Sequence, residues 1–199
     1  MNLVDQIKLQ SAVSQIVSQD ERMSFEVDRN TLIEKDILFT RIALGTKTGI
    51  QELLKPQDNE MDGVRNISNA KLAGGTAFLV TGIVISHAGH SAVIKNEADL
   101  AKLTYSGEYA KADSSFFNNE LSLKIGGKEK VKAALRHMMP QEAGDEKFVD
   151  SGYAVSPFLI PSNQVILPAL NIYANPTAAD KDTALEIALV GYRITANGK

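Results

Sequence analysis

The feature that most limits what this chain can become is an alternation of apolar and polar side chains with a period of two. "NELSLKI" sets Leu121, Leu123 and Ile125 against Glu120, Ser122 and Lys124. "MSFEV" sets Met23, Phe25 and Val27 against Ser24 and Glu26. "ALEIALVGYRI" (184–194) puts Leu185, Ile187 and Leu189 on one side, with Glu186 and Arg193 marking its polar ends. Successive side chains of a strand point to opposite faces, so this pattern makes one buried face and one wet face.

Further strands follow from the same reading. "DILFTRIAL" (36–44) is one, and "FLVTGIVI", apolar on both sides, predicts a central or covered strand. "QVILPALNIY" (164–173) contains Pro168, which cannot donate to a ladder and so predicts an edge strand or a bulge. "GTKTG", "AGGT" and "KPQDNEMDG" are turn-rich connections. Two segments read as inserted helices. "NEADLAKL" (96–103) has Asn96 to cap it, with Glu97 and Asp99 at the positive end of its dipole. "KEKVKAALRHMM" carries a helical stripe of Val131, Ala134, Leu135 and Met138, stopped by Pro140. Seven or eight short strands joined by polar turns predict a mainly β, antiparallel sandwich or barrel. Phe116, Phe117 and Phe158 are expected to fill its core.

The first 22 residues differ. Leu9, Ala12, Val13, Ile16 and Val17 fit the helical spacing, while Leu3, Val4 and Ile7 lie on another side of the same wheel. A helix with two apolar sides touches more than one surface, which predicts an N-terminal helical arm (1–22) on a β domain (23–199). A helix packed on its own domain is the alternative.

Charge and cysteine content remove several function classes. The chain has 199 residues, 21 Lys+Arg against 24 Asp+Glu, and no Cys. Disulfides, thiolate ligands and a Cys nucleophile are absent. No basic block offers a surface for neutralising phosphates, so direct sequence-specific nucleic-acid binding is not expected. "MNLVDQIKLQ" lacks the pattern of a signal peptide, and no apolar run is long enough for a membrane span. "NIS" (66–68) is a glycosylation sequon without a secretion signal to make it relevant.

The most chemistry-like stretch is "SHAGHS", with His87 and His90 three apart. A zincin needs His-Glu-x-x-His on a helix, and this stretch has neither the Glu nor the spacing. A third ligand, His137 or a carboxylate, is not selected by any spacing. The expected reading is a hairpin connection, with Gly89 permitting a positive φ. Neither a phosphate loop nor a Gly-x-Ser-x-Gly elbow appears. No catalytic residue, metal or cofactor is therefore expected.

Three stretches in order, "FFNNELSLKIGG", "GYAVSPFLIPSNQVILPALNIYANP" and "ALEIALVGYRI", resemble the second half of jelly-roll coat proteins of icosahedral, often membrane-containing, bacteriophages. "EVDRNTLIEKDILFTRIAL" through "GVRNISNAKLAGGTAFLVTGIVIS" is similar to their opening hairpin. The resemblance implies a single jelly roll and a non-enzymatic, self-assembling capsid subunit. It would be made in the host cytoplasm and reside in the virion. Its partners would be copies of itself, as trimers or a larger shell, other virion proteins and a membrane surface. The expected assembly interface is Leu3, Val4, Ile7, Val13, Ile16, Val17 and Pro168, with loop tips around His87–His90 and Asn175–Asp182. The competing expectation is a cytosolic β-sandwich or cupin-like binding module or metalloenzyme that uses His87 and His90.

Overall fold

The computed structural model describes residues 11, 13–15, 27, 31–45, 47–90, 92–107, 117–139, 152–173 and 182–196. Within them run strands β1 (Leu32–Ala43), β2 (Gly49–Glu52), β3 (Thr76–His90), β4 (Glu120–Ile125), β5 (Lys128–Ala134), β6 (Tyr153–Ile160), β7 (Ile166–Ile172) and β8 (Asp182–Thr195). A short helix α1 (Glu97–Leu100) follows β3, and a 3-10 turn (Leu135–His137) follows β5. The strands form two four-stranded sheets, in the orders β1-β8-β3-β6 and β2-β7-β4-β5. All neighbours within each sheet are antiparallel, and the sheets stack as a β-sandwich.

The alternation in the sequence becomes the core. Leu121, Leu123 and Ile125 of β4 face Leu185, Ile187 and Leu189 of β8 across the space between the sheets. Phe78, Ile83 and Ile85 of β3 fill it together with Phe117, all fully buried. In β3 the inward positions change parity, from Phe78 and Val80 to Ile83 and Ile85, because a bulge falls between Val80 and Gly82. "FLVTGIVI" does lie centrally, between β8 and β6. Its second apolar face is also used. Ala77 and Leu79 pack with Leu159, Ile194 and the helical residue Val13 on the outside of the first sheet. Farther along that outer face, Ala88 and Ala184 pack with Val64 and with Leu100 of α1.

Several expectations are corrected. "KEKVKAALRHMM" is not a helix but strand β5 plus the 3-10 turn. Gly126 and Gly127, with φ of 55° and 82°, join β4 to β5 in a two-residue hairpin turn of the type that twists with its strands. That pairing gives Val131 and Ala133 to the core, and a ladder outweighs a weak helical stripe. "HAGH" is not a turn: it is the end of β3, paired with residues 182–185 of β8. Asn96 has the extended backbone of an N-cap, yet its side chain makes no capping bond.

Pro168 is likewise not on an edge, since β7 lies between β2 and β4. It is tolerated because its carbonyl side, which receives Leu53 N at 2.9 Å, faces β2 where that strand has just ended. The Leu53 carbonyl, which a residue with an N–H would have bonded, accepts instead from Thr40 Oγ1 at 3.2 Å. The proline that does sit on an edge strand is Pro157 of β6.

Gly191 of β8 lies against the backbone of β3 with no room for a side chain. A Cβ there would lie 1.9 Å from the Leu79 carbonyl oxygen and 3.1 Å from the Phe78 ring. Gly191→Ala is expected to cost at least the roughly 3 kcal/mol upper end of core overpacking, because backbone rather than a movable side chain blocks it. Gly74→Ala, at a position with nothing within 4 Å, is the control and should change stability by less than about 0.5 kcal/mol. Urea denaturation of the two variants checks both values.

Candidate functional site

A cleft of about 190 Å³ opens where the end of β1, residues 52–58 and residues 94–100 converge. Arg41, Lys47, Lys55, Arg65 and Lys95 line it, against Glu52, Asp58 and Glu97. Its two arginines are committed. Arg41 pairs through Nε with Glu186 Oε2 at 2.6 Å and donates from Nη1 to Gly63 O at 2.6 Å. Arg65, only 6% exposed, pairs through Nη2 with Glu97 Oε1 at 2.7 Å and donates from Nη1 to Asn59 O. Among the described residues, Arg65 Nε is buried and has no hydrogen-bond partner. Position explains both side chains. Arg41 and Glu186 are opposed in the β1–β8 register, and Arg65 is bridged to Thr40 at the edge of β1. The arginines thus tie the 59–65 loop and α1 to the first sheet.

Asp182 is the other organising charge. It was expected at a loop tip and is instead buried. Its Oδ1 accepts Gly45 N at 2.7 Å and Thr183 N at 2.8 Å, and its Oδ2 accepts Ile94 N at 2.8 Å. One carboxylate therefore fastens the β1–β2 turn and the segment after β3 to the start of β8. Tyr105 closes this end of the sheet. Its ring lies 4.4 Å from the Arg41 guanidinium, and its hydroxyl donates to Leu100 O. Burial pushes the Tyr105 phenol up to about 12, with Glu186 adding to the rise and Arg41 opposing it.

The two histidines do not meet. An i, i+3 pair on a strand points to opposite faces. His87 is opposite Leu185, whose side chain is in the core, and is buried; His90 is opposite Asp182 and half-buried. The backbone of His87 exchanges two 2.9 Å bonds with Ser106, and His90 Nδ1 lies 2.7 Å from Ala92 O. His137 is exposed on the 3-10 turn after β5, an element of the other sheet. Among the described residues, no group of three or more His, Asp or Glu is placed to hold a metal ion.

Of the expected interface, Leu3, Val4, Ile7, Ile16 and Val17 lie outside the described residues, as do Asn175 and the division between residues 22 and 23. Val13 is buried against Ala77, Leu79, Leu159 and Ile194 of its own chain, and Pro168 is buried in β7. Sequence reasoning gives no role to Arg65 and places Asp182 at a loop tip rather than in a buried hydrogen-bond cluster. A lone charge next to a loop carries no local signal that it will be buried and multiply bonded. No protein-family model matches this chain, and no curated protein sequence does either.

Two outcomes follow. Asp182→Ala leaves three backbone N–H groups without an acceptor and should cost at least about 3 kcal/mol in urea unfolding. The Tyr105 phenol should ionise above its ordinary value of 10, near 12, in an ultraviolet absorbance titration compared with Tyr105→Phe. Because its folded value is the higher one, its contribution to stability is intact below about pH 10. That contribution is lost as the pH rises from there through about 12.

Proposed function

We propose that this chain is a structural subunit of a virion shell, a single jelly roll that assembles with copies of itself and performs no catalysis. The observation that carries the reading is the strand order, β1-β8-β3-β6 against β2-β7-β4-β5, antiparallel throughout. An eight-stranded double sheet wired in this way is the arrangement of two Greek keys that capsid domains share with lectins and cupins. Within that group the interior favours a shell. Phe78, Phe117, Leu121, Leu123 and Ile125 are fully buried between the sheets, where a cupin-like module would need a lined hollow. The divergence of His87 and His90 counts against the metalloenzyme reading. In the shell reading the partners are sister copies and other virion proteins, and a membrane lining suits a chain of net charge -3 without a basic block. The virion is then its location and the host cytoplasm its place of synthesis.

Static light scattering and negative-stain electron microscopy of the full chain test this. Oligomers or closed particles, with masses in multiples of 21.5 kDa, are expected. A strict monomer at the highest soluble concentration overturns the proposal, and stoichiometric metal in elemental analysis would support the cupin-like alternative.

A further inference from the structure

Among the described residues, every sheet edge but one stretch carries a device against pairing. β2 is an edge of only four residues. β5 is an edge that presents Lys128, Lys130 and Lys132, all exposed. β6 is an edge interrupted by Pro157 opposite the bulge of β3. Short edges, lysines, prolines and bulges are the means by which natural sheets blunt unpaired strands.

The fourth edge, β1, is protected over only part of its length. Residues 64–66 lie along its upper half: Val64 O accepts Arg41 N, and Asn66 N donates to Phe39 O. The Asn66 side chain then stands in for one more residue of a strand. Its Oδ1 accepts Phe39 N at 2.8 Å and its Nδ2 donates to Ile37 O at 2.7 Å. Ile37 N is taken by the Asp36 carboxylate at 2.8 Å. The outward-facing backbone groups of residues 37 and 39, and the N–H of residue 41, are thus engaged. The same parity turns the N–H and C=O of Ile33 and Lys35 outward, since the ladder to β8 uses the alternate residues. No bond to these four groups exists among the described residues. Two large apolar side chains flank them in the open, Leu32 at 46% and Ile37 at 45% exposure.

We infer that this lower half of β1 is a self-association edge, where residues 32–36 of one copy pair antiparallel with the same residues of a second copy about a two-fold axis. A two-fold contact uses one patch twice, so a single open edge suffices for both partners. The register is set by what is already engaged. Ile37 has no free backbone group, so the hydrogen-bonded pairs are Ile33 with Lys35 of the copy and the reciprocal pair. Glu34 then faces its counterpart across the axis. The contact joins two first sheets into one continuous eight-stranded sheet. With four backbone bonds it is a weak contact, of the kind that a shell accumulates. Like charges directly opposite one another are unfavourable, so the Glu34 pair restrains the contact.

This inference rests on the shell reading only in requiring that copies meet, and the tests separate the two. Lys35→Pro removes an outward N–H while leaving the ladder to β8 intact, and circular dichroism checks the fold. It should weaken association by at least about tenfold in sedimentation velocity, whereas Glu34→Gln should strengthen it. The chain has no native cysteine, so single-cysteine variants give an unambiguous readout. Under mild oxidation Glu34→Cys should form mostly covalent dimer, and Lys124→Cys, exposed on the other sheet, should not. A wild type that stays monomeric and a Glu34→Cys variant no more cross-linked than Lys124→Cys overturn the edge contact and the shell reading together. A wild type that assembles, with Lys35→Pro assembling equally and Glu34→Cys uncross-linked, overturns the edge contact alone.

Discussion

The rest of the structure depends on the insertion of the last strand, β8, between the first and the third. β8 is laddered to β1 on one side and to β3 on the other along nearly its whole length. Its inward residues Leu185, Ile187 and Leu189 supply the middle of the core. Until it arrives, β1 has no sheet partner, and β3 has only β6. The partners are far apart in sequence: Leu38 pairs with Leu189, and Ile85 with Ile187. Loop closure over such separations comes before the contacts that reward it, so a fold of this kind forms slowly and as a cooperative unit. Gly191 belongs to the same constraint, because three strands come together there only if one of them has no side chain.

Around that insertion the polar chemistry is structural. Arg41–Glu186 and Arg193–Asp36 are cross-strand pairs between β1 and β8, one toward each end of the ladder. Asp182 fixes the first residue of β8 to two neighbouring segments. These groups hold loops at the end of a sheet, and their partners are carbonyls, backbone amides and one another. Among the described residues, Arg65 Nε is the exception, a buried donor left short beside the bonds of Nη1 and Nη2.

The two outer faces are treated unequally. The first sheet is clothed at one end by Val13 and at the other by Val64 and α1, which accounts for the apolar residues on both sides of β3. On the second sheet, Ile50 and Tyr173 remain more than half exposed. The covering of the first sheet comes from segments of the same chain. It also explains why the doubly apolar "FLVTGIVI" was legible as a central strand while its covering partners were not.

Alternation along the chain was enough to tell which side chains of β4 and β8 face inward. Period-two patterns located β4 and β8, and the Gly126-Gly127 pair marks a hairpin turn that a helical stripe in the next segment obscured. Which strands lie side by side emerges from folding alone. Alternation assigns a residue to a face but does not name the strand beside it, because outside the β4–β5 hairpin that strand lies far along the chain: Leu123 pairs with Pro168, Phe78 with Ile160 and Leu38 with Leu189. Pro168 is the clearest case. Its missing donor argued for an edge, and it sits inside a sheet because a neighbouring strand ends opposite it and Thr40 supplies the bond. His87 and His90 make the same point: three residues apart they share a helix face, but as part of β3 they part company. Whether a charge such as Asp182 is a loop tip or a buried fastener depends on distant backbone amides that no local pattern records.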